Sequence, residues 1–395
     1  MEAQLMRTAE HIWWHVYPLA ACGAPIREER TPGDRLRALL PWVSLAAESG
    51  YTGILLGPVF QSVAHGYDTL DHFRIDDRLG DDAVFDEFVS ACSYQGVAVI
   101  LDGVFNHVAV EHAWVSQNGP IKRDDQGNPV GWEGDGSLAE LDHSDPRVED
   151  AVVEIMCHWL ERGIAGWRLD VAYAVPRDFW ARVTWRVREK FPEAIFLGEM
   201  IHGDYAELAS GTGIDAVTQY ELWKAIWSSL KDENFFELEH ALGRHAEFSS
   251  RAIMQTFIGN HDVNRIASVV GEPKAALAAV ALFTLPGLPS VYYGDERAAL
   301  GVRGQGAEAD DPVRPALDDL DAAGDLAELY TQLIRLRRAH PWLAEATLQV
   351  AEVENQRITF TAHAQGNEVA THLSLVDGCH AHVHINGEHV VDFSR

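Results

Sequence analysis

The sequence predicts an α/β chain folded as a closed (β/α)8 TIM barrel. A short insertion is expected after the third strand, and a small, abbreviated β-domain at the C-terminal end. Three observations carry this expectation. Short apolar runs rich in β-branched and aromatic residues alternate with longer segments whose apolar residues recur at spacings of three and four, as parallel strand–helix repeats require. Eight such runs fit within about 330 residues, the number that closes a barrel. No G-x-G-x-x-G opens a helix, and that turn would be expected of the alternative, a doubly wound open sheet.

The expected strands are 12–17, 53–56, 97–101, 164–169, 194–198, 216–219, 253–257 and 290–293. Helical spacing is expected over 34–49, 82–95, 145–162, 177–190, 221–231, 273–283 and 326–340. Asp34 and Asp82 stand where N-caps are wanted, and Gly96 and Gly163 where helices stop. Residues 108–144 are rich in Gly, Asp, Asn, Pro and Trp and lack periodicity. A stretch of that length is functional or a small subdomain. Near the end, 357–361, 369–375 and 380–385 read as strands joined by QGN, DG and NG turns. The expected organisation is a barrel from 1–107 and 145–343, the insertion 108–144 and a β-domain 344–395.

Composition narrows the function. Apolar residues make up 47% and charged residues 23% of the 395-residue chain, which excludes disordered and fibrous classes. Lys and Arg number 31 against 60 Asp and Glu, a formal charge of -29. That surface repels phosphate backbones and anionic lipid, so neither nucleic acid nor membrane is an expected partner and a neutral substrate is. No apolar run approaches a membrane span, and the N-terminus shows no secretory pattern. Cys22, Cys92, Cys157 and Cys379 are far apart and form no CxxC pair, so reduced thiols and a cytoplasmic location are expected.

In such a barrel, chemistry sits at the C-terminal ends of the strands. The third run, VAVILDGVFNH, ends in Asp102, Asn106 and His107. The fourth, GIAGWRLDVAY, ends in Arg168 and Asp170, and the fifth, AIFLGEM, in Glu199. The seventh, IMQTFIGNHD, ends in Asn260, His261 and Asp262, and the second is followed by His65, Tyr67 and Asp68. Any one of these reads equally well as a cap or an ion pair. Crowding four carboxylates, two histidines and an arginine at one mouth is costly, and structure alone does not require it. Carboxylates with an arginine suit glycoside chemistry, which needs a carboxylate nucleophile and a carboxylic acid. Arg168, two residues before Asp170, points the same way along the pleat and is expected to keep it ionised. Glu199 follows an apolar strand and is expected to be the drier acid. Asp262, His107 and His261 are expected to meet sugar hydroxyls, and Tyr67 to stack on the ring.

These segments resemble the conserved regions of the α-amylase superfamily, glycoside hydrolase family 13. DGVFNH, GWRLD, GE and NHD resemble its four regions in order, and GILLGPVF, LAELDH and GLPSVYYGDE its auxiliary ones, over about residues 12–343. The resemblance implies that Asp170 is the nucleophile, Glu199 the general acid/base and Asp262 the transition-state stabiliser. It implies that Arg168, His107, His261 and Tyr67 line the subsite of the cleaved sugar, with Asp68 and Asp102 beside them. It also implies a barrel, a domain B and a C-terminal β-domain.

GWRLDVA followed by PRDFW, and HGYDTLDHFRID, are similar to the neopullulanase and cyclomaltodextrinase group. That group carries an additional N-terminal β-domain, through which its members dimerise. With a first strand expected at residue 12, this domain is expected to be missing, and the chain to be a monomer or a weak homo-oligomer. Tyr173 and Ala174 stand where starch amylases have Lys-His. No cofactor is expected to be required, with calcium left open. Asn106 and Glu140 are the candidate calcium ligands.

The expected activity is retaining hydrolysis of α-glucosidic, mainly α-1,4, bonds in malto-oligosaccharides. A transglycosylase or isomerase of glucanotransferase or trehalose-synthase type is the alternative. A non-catalytic carbohydrate-binding barrel is disfavoured, because all three carboxylates are present.

Overall fold

The computed structural model describes residue 8 and residues 10–395. Eight parallel strands close a barrel: β1 (Trp13–Val16), β2 (Gly53–Leu56), β3 (Ala98–Gly103), β4 (Gly166–Leu169), β5 (Ile195–Gly198), β6 (Ala216–Thr218), β7 (Ile253–Phe257) and β8 (Leu288–Tyr292). Each pairs with its sequence neighbour, and β8 closes on β1.

The two-residue period of the strands explains the division between floor and mouth. Trp13, Leu55, Ile100, Ile195, Leu197, Ala216 and Leu288 pack together inside the barrel as a dry floor. Two residues further along the same strands, the inward positions are His15, Asp102 and Glu199, with Arg168 and then Asp170 on β4 and just beyond it. Intervening residues such as Trp14, Ile54, Val99 and Trp167 belong to the outer core against the helices. Gly53 is required where the Trp13 ring crosses it, since a Cβ there would lie 2.3 Å from the ring.

The longer helices are α1 (Leu40–Ser49), α2 (Asp82–Tyr94), α3 (Pro146–Glu161), α4 (Arg177–Lys190), α5 (Tyr220–Asp232), α6 (Phe236–Ser249), α7 (Glu272–Thr284) and α8 (Asp325–Ala339). The expected N-caps need correction. Asp81, not Asp82, caps α2, accepting from Ala83 N and Val84 N at 3.0 Å each. Asp34 makes no capping bond and pairs with Arg37. It precedes a 3₁₀ turn, Arg35–Leu39, rather than a continuous helix. Helix α6 was not anticipated. Its buried stripe is Leu238, Ala241, Leu242, His245 and Phe248, a helical spacing partly carried by Ala and His. Helix α7 is buried on every side from Ala275 to Thr284, as befits a helix between the barrel and other layers.

Two short sheets rise over the barrel mouth. Phe60–Ser62 pairs with Thr69–Ile75 after β2. After β3, His107–Ala109 pairs with Asp135–Glu140, which also pairs with Gly131–Trp132. The C-terminal residues form one antiparallel sheet of β9 (Thr347–Glu354), β10 (Arg357–Ala364), β11 (Asn367–Ser374), β12 (His380–Ile385) and β13 (Glu388–Ser394), in chain order. The sequence signalled three of these five. Their QGN and NG turns place Gln365, Gly366, Asn386 and Gly387 at positive φ, the conformation a two-residue hairpin turn demands. Among the described residues no helix is long and apolar enough to cross a membrane.

Candidate active site

Arg168 organises the barrel mouth. Its Nη1 donates to both carboxylate oxygens of Asp102 at 2.7 Å and to Asp170 Oδ1 at 3.0 Å. Its Nη2 lies 2.7 Å from Glu199 Oε1. Three carboxylates from three successive strands thus surround one guanidinium, and all four side chains are buried. The cross-strand register Asp102↔Arg168↔Leu197 sets this up.

Arg168 acts on Asp170 in the expected direction, toward the ionised form, and burial opposes it. Burial pushes the Asp170 carboxyl well above the usual range. Arg168 opposes this, while Glu199, Asp102 and Asp262 reinforce it. Burial likewise raises Asp102 against the pull of Arg168. One cation does not satisfy three neighbouring anions. Glu199 is buried, as the apolar strand implied, but it is well supplied with donors. Besides Arg168, it accepts from Val171 N at 3.0 Å and from Tyr220 Oη at 3.2 Å. Val171 holds that N–H in place from a left-handed conformation, φ 49°, which a β-branched residue adopts only at a cost.

Asp262 lies across the mouth at the end of β7. Its Oδ2 is 3.0 Å from His261 Nε2, and its Oδ1 accepts from Arg314 Nη2 at 3.1 Å. Burial alone would raise this carboxyl. His261, Arg314 and Arg168 outweigh it and hold the group far below the usual range. With its side chain 36% exposed, it is the most accessible of the site carboxylates. It borders a cleft also lined by Trp223, Trp227 and Lys231.

Tyr67 is brought in by the ribbon after β2. Its hydroxyl donates to Asp102 Oδ2 at 2.9 Å and contacts His261 Nε2, and its ring is parallel to that of His261 at 5.2 Å. His107 and Asp68 stand slightly apart from their expected role, because local backbone engages them. His107 Nε2 donates to the Tyr67 carbonyl at 3.1 Å, and its Nδ1 accepts from Asn106 Nδ2 at 3.2 Å. Burial pulls this imidazole down to about 4, so it is neutral at pH 7. Asp68 accepts from Ala64 N and Gly66 N and closes the turn that carries Tyr67.

Residues not singled out from the sequence complete the site. Tyr220 follows β6 and receives a hydrogen bond from Asn260 Nδ2 at 2.7 Å. His15, from β1, packs edge-on to His261 at 5.1 Å. Arg314, far beyond β8, lies over the Tyr17 ring at 4.3 Å. The polar ends of runs one and six carried a signal for His15, Tyr17 and Tyr220. Arg314 sits in irregular chain with none.

Calcium takes six to eight oxygens, of which Asn106 and Glu140 would supply two. Glu140 is paired with Lys122 at 2.6 Å, and the Asn106 amide nitrogen donates to His107 at 3.2 Å.

A parallel barrel with carboxylates converging on an arginine at its C-terminal mouth has the place and the groups of an enzyme active site. The chain matches the family described as "Alpha amylase, catalytic domain" over residues 45–127 and 133–325, and it belongs to that family. It is 28% identical to a cyclomaltodextrinase of Geobacillus thermopakistaniensis over 90% of this chain and 67% of that protein. It is 27% identical to a maltogenic alpha-amylase of Bacillus acidopullulyticus over 87% of this chain and 63% of that one. The chain therefore spans about two thirds of the length of these relatives. The cyclic alpha-maltosyl-(1→6)-maltose hydrolase of Arthrobacter globiformis has the same fold, with TM-score 0.80 at 21% identity, covering 93% of this chain and 90% of that one.

Proposed function

We propose that the chain is a retaining glycoside hydrolase that cleaves α-glucosidic bonds, mainly α-1,4, in malto-oligosaccharides. The observation that carries this is the single guanidinium of Arg168 bridging Asp170 and Glu199, which places two carboxyls together at one reacting centre. Asp170 attacks the anomeric carbon while Glu199 protonates the departing glycosidic oxygen, giving a covalent glycosyl-enzyme. Glu199 then takes a proton from water, which displaces Asp170 and restores the α configuration. In the productive state Glu199 carries the proton and Asp170 is the free carboxylate. Asp262, held anionic by His261 and Arg314, faces the positive charge that develops on the sugar ring. Arg168 is a positioning residue for all three carboxylates around it.

The acid role separates cleanly from the nucleophile role. Glu199→Gln should lose activity on maltotriose by at least about a hundredfold. It should keep a near-normal first step on an α-glucosyl fluoride, whose leaving group needs no proton. Equal losses on both substrates, measured by burst kinetics, would contradict the assignment.

The reading is tested by incubating the protein with maltotriose, panose, cyclodextrin and soluble starch and separating the products. Remote sugars contribute only where protein touches them. Trp132 lies parallel to the His107 ring at 6.1 Å, and Tyr173 meets His202 at 6.0 Å where starch amylases carry Lys-His. The short insertion over 108–144 supports a short groove and a higher kcat/KM on oligosaccharides than on starch. Preference for starch would refute it. Products longer than the substrate would show transfer to sugar in place of water. A cytoplasmic location belongs to the same reading and is supported by four unpaired cysteines.

A further inference from the structure

The C-terminal sheet has two chemically different faces. Along β12, Ala381, Val383 and Ile385 are buried, so His380, His382 and His384 alternate onto the other face. Six of the chain's 19 histidines fall between residues 363 and 389. The register places His382 between His372 on β11 and Asp392 on β13, and His384 opposite His389. A register shift between Val383 and His384 brings His389 close to both of its neighbours. Its ring is 5.9 Å from that of His382 and 5.1 Å from that of His384.

The ligand-capable atoms of His382, His389 and Asp392 all lie within 4.8 Å of one another, and all three residues are exposed. His382 Nδ1 is 3.1 Å from Asp392 Oδ1. His372 is engaged elsewhere, 2.8 Å from Thr359 Oγ1.

We propose that His382, His389 and Asp392 bind one divalent transition-metal ion of the zinc class on the β12–β13 hairpin. Two imidazoles and a carboxylate suit Zn2+, and by the same donor set Co2+, Ni2+ or Cu2+, and do not suit Ca2+ or Mg2+. In a tetrahedral zinc site, ligand atoms about 2.0–2.1 Å from the metal stand about 3.3 Å apart. The His382–Asp392 separation already meets this, and rotation of the exposed His389 side chain closes the rest. The NG turn holds both strands in register before the metal arrives, so little chain is ordered on binding. The ion would tie the last strand to its neighbour. It shares no residue with the barrel mouth and stands independently of the reading of that site.

The test uses the full chain, untagged and stripped of metal with a chelator. Titration with Zn2+ in a calorimeter should show one site per chain with a Kd on the order of 1–10 µM. Co2+ should give the intense visible bands of a tetrahedral site. Zn2+ should also raise the thermal midpoint of unfolding. His389→Ala and the isosteric Asp392→Asn should each weaken Zn2+ binding at least tenfold and remove the rise. Circular dichroism checks that both variants remain folded, as exposed positions allow. Absence of saturable binding overturns the proposal. So does binding that neither variant weakens, which would place the ion elsewhere on the chain.

Discussion

Asp170→Asn is expected to reduce turnover at least about a thousandfold, because the amide cannot form the glycosyl ester. The same substitution is expected to leave the fold as stable as before or more so. Burial and the neighbouring carboxylates raise the Asp170 carboxyl in the folded protein. A carboxyl raised on folding binds its proton more tightly in the folded state than in the unfolded chain. Its contribution to stability is therefore fully present below the unfolded value, about 3.9, and is lost as pH rises through the folded one. The neutral amide removes this loss. Thermal unfolding at about pH 5 and about pH 8 should thus show a gain in the variant that is larger at the higher pH. More than about a tenth of wild-type turnover, or a fall in stability that grows with pH, would contradict the account. Sites that trade stability for activity behave in this way.

The second large effect belongs to Arg168. Arg168→Met removes the one cation among Asp102, Asp170 and Glu199, all of them buried. Breaking a buried ion pair by deleting one partner costs about 3–5 kcal/mol, because the remaining charges lose their compensation. The variant should unfold several degrees lower and lose turnover as severely as Asp170→Asn. Its pH dependence has a definite sign. Without Arg168, the carboxyls rise further, so the deficit should be small in acid and should grow as pH rises and the carboxyls ionise. Asp102→Asn in the Arg168→Met background should recover part of the stability and none of the turnover. An unchanged midpoint at about pH 8 would mean that the guanidinium does not hold this site together.

What the sequence revealed follows from the range of each interaction. The barrel and its chemical mouth were legible because strand period and strand end are local properties. Positions 166, 168 and 170 point inward whatever lies opposite them. The start of β8 at Leu288 was missed because Pro289 argues against a strand. Helix α6 was missed because its buried stripe includes Ala241 and His245, which apolar counting undervalues.

The electrostatics were less legible. The sequence shows Arg168 beside Asp170 but not that Asp102 and Glu199 claim the same guanidinium, nor that burial, reinforced by those carboxylates, opposes Arg168 at Asp170. His107 and Asp68 were identified as site residues. That their polar atoms are engaged with the backbone and amide around Tyr67 depends on how the ribbon after β2 folds back, which no motif states. Arg314 reaches Asp262 from 52 residues away, a separation at which sequence spacing carries no information.

The central claim is that Asp170 becomes covalently glycosylated while Glu199 serves as the acid. It is tested most directly by incubating Glu199→Gln with α-maltosyl fluoride, quenching in acid, digesting with pepsin and locating the added sugar by mass spectrometry. The first step needs no acid, and the second is slowed by loss of the base, so the intermediate accumulates. The account predicts a maltosyl group on the peptide containing Asp170, on that side chain. A sugar on any other residue, or no adduct together with a product of inverted anomeric configuration, would contradict it.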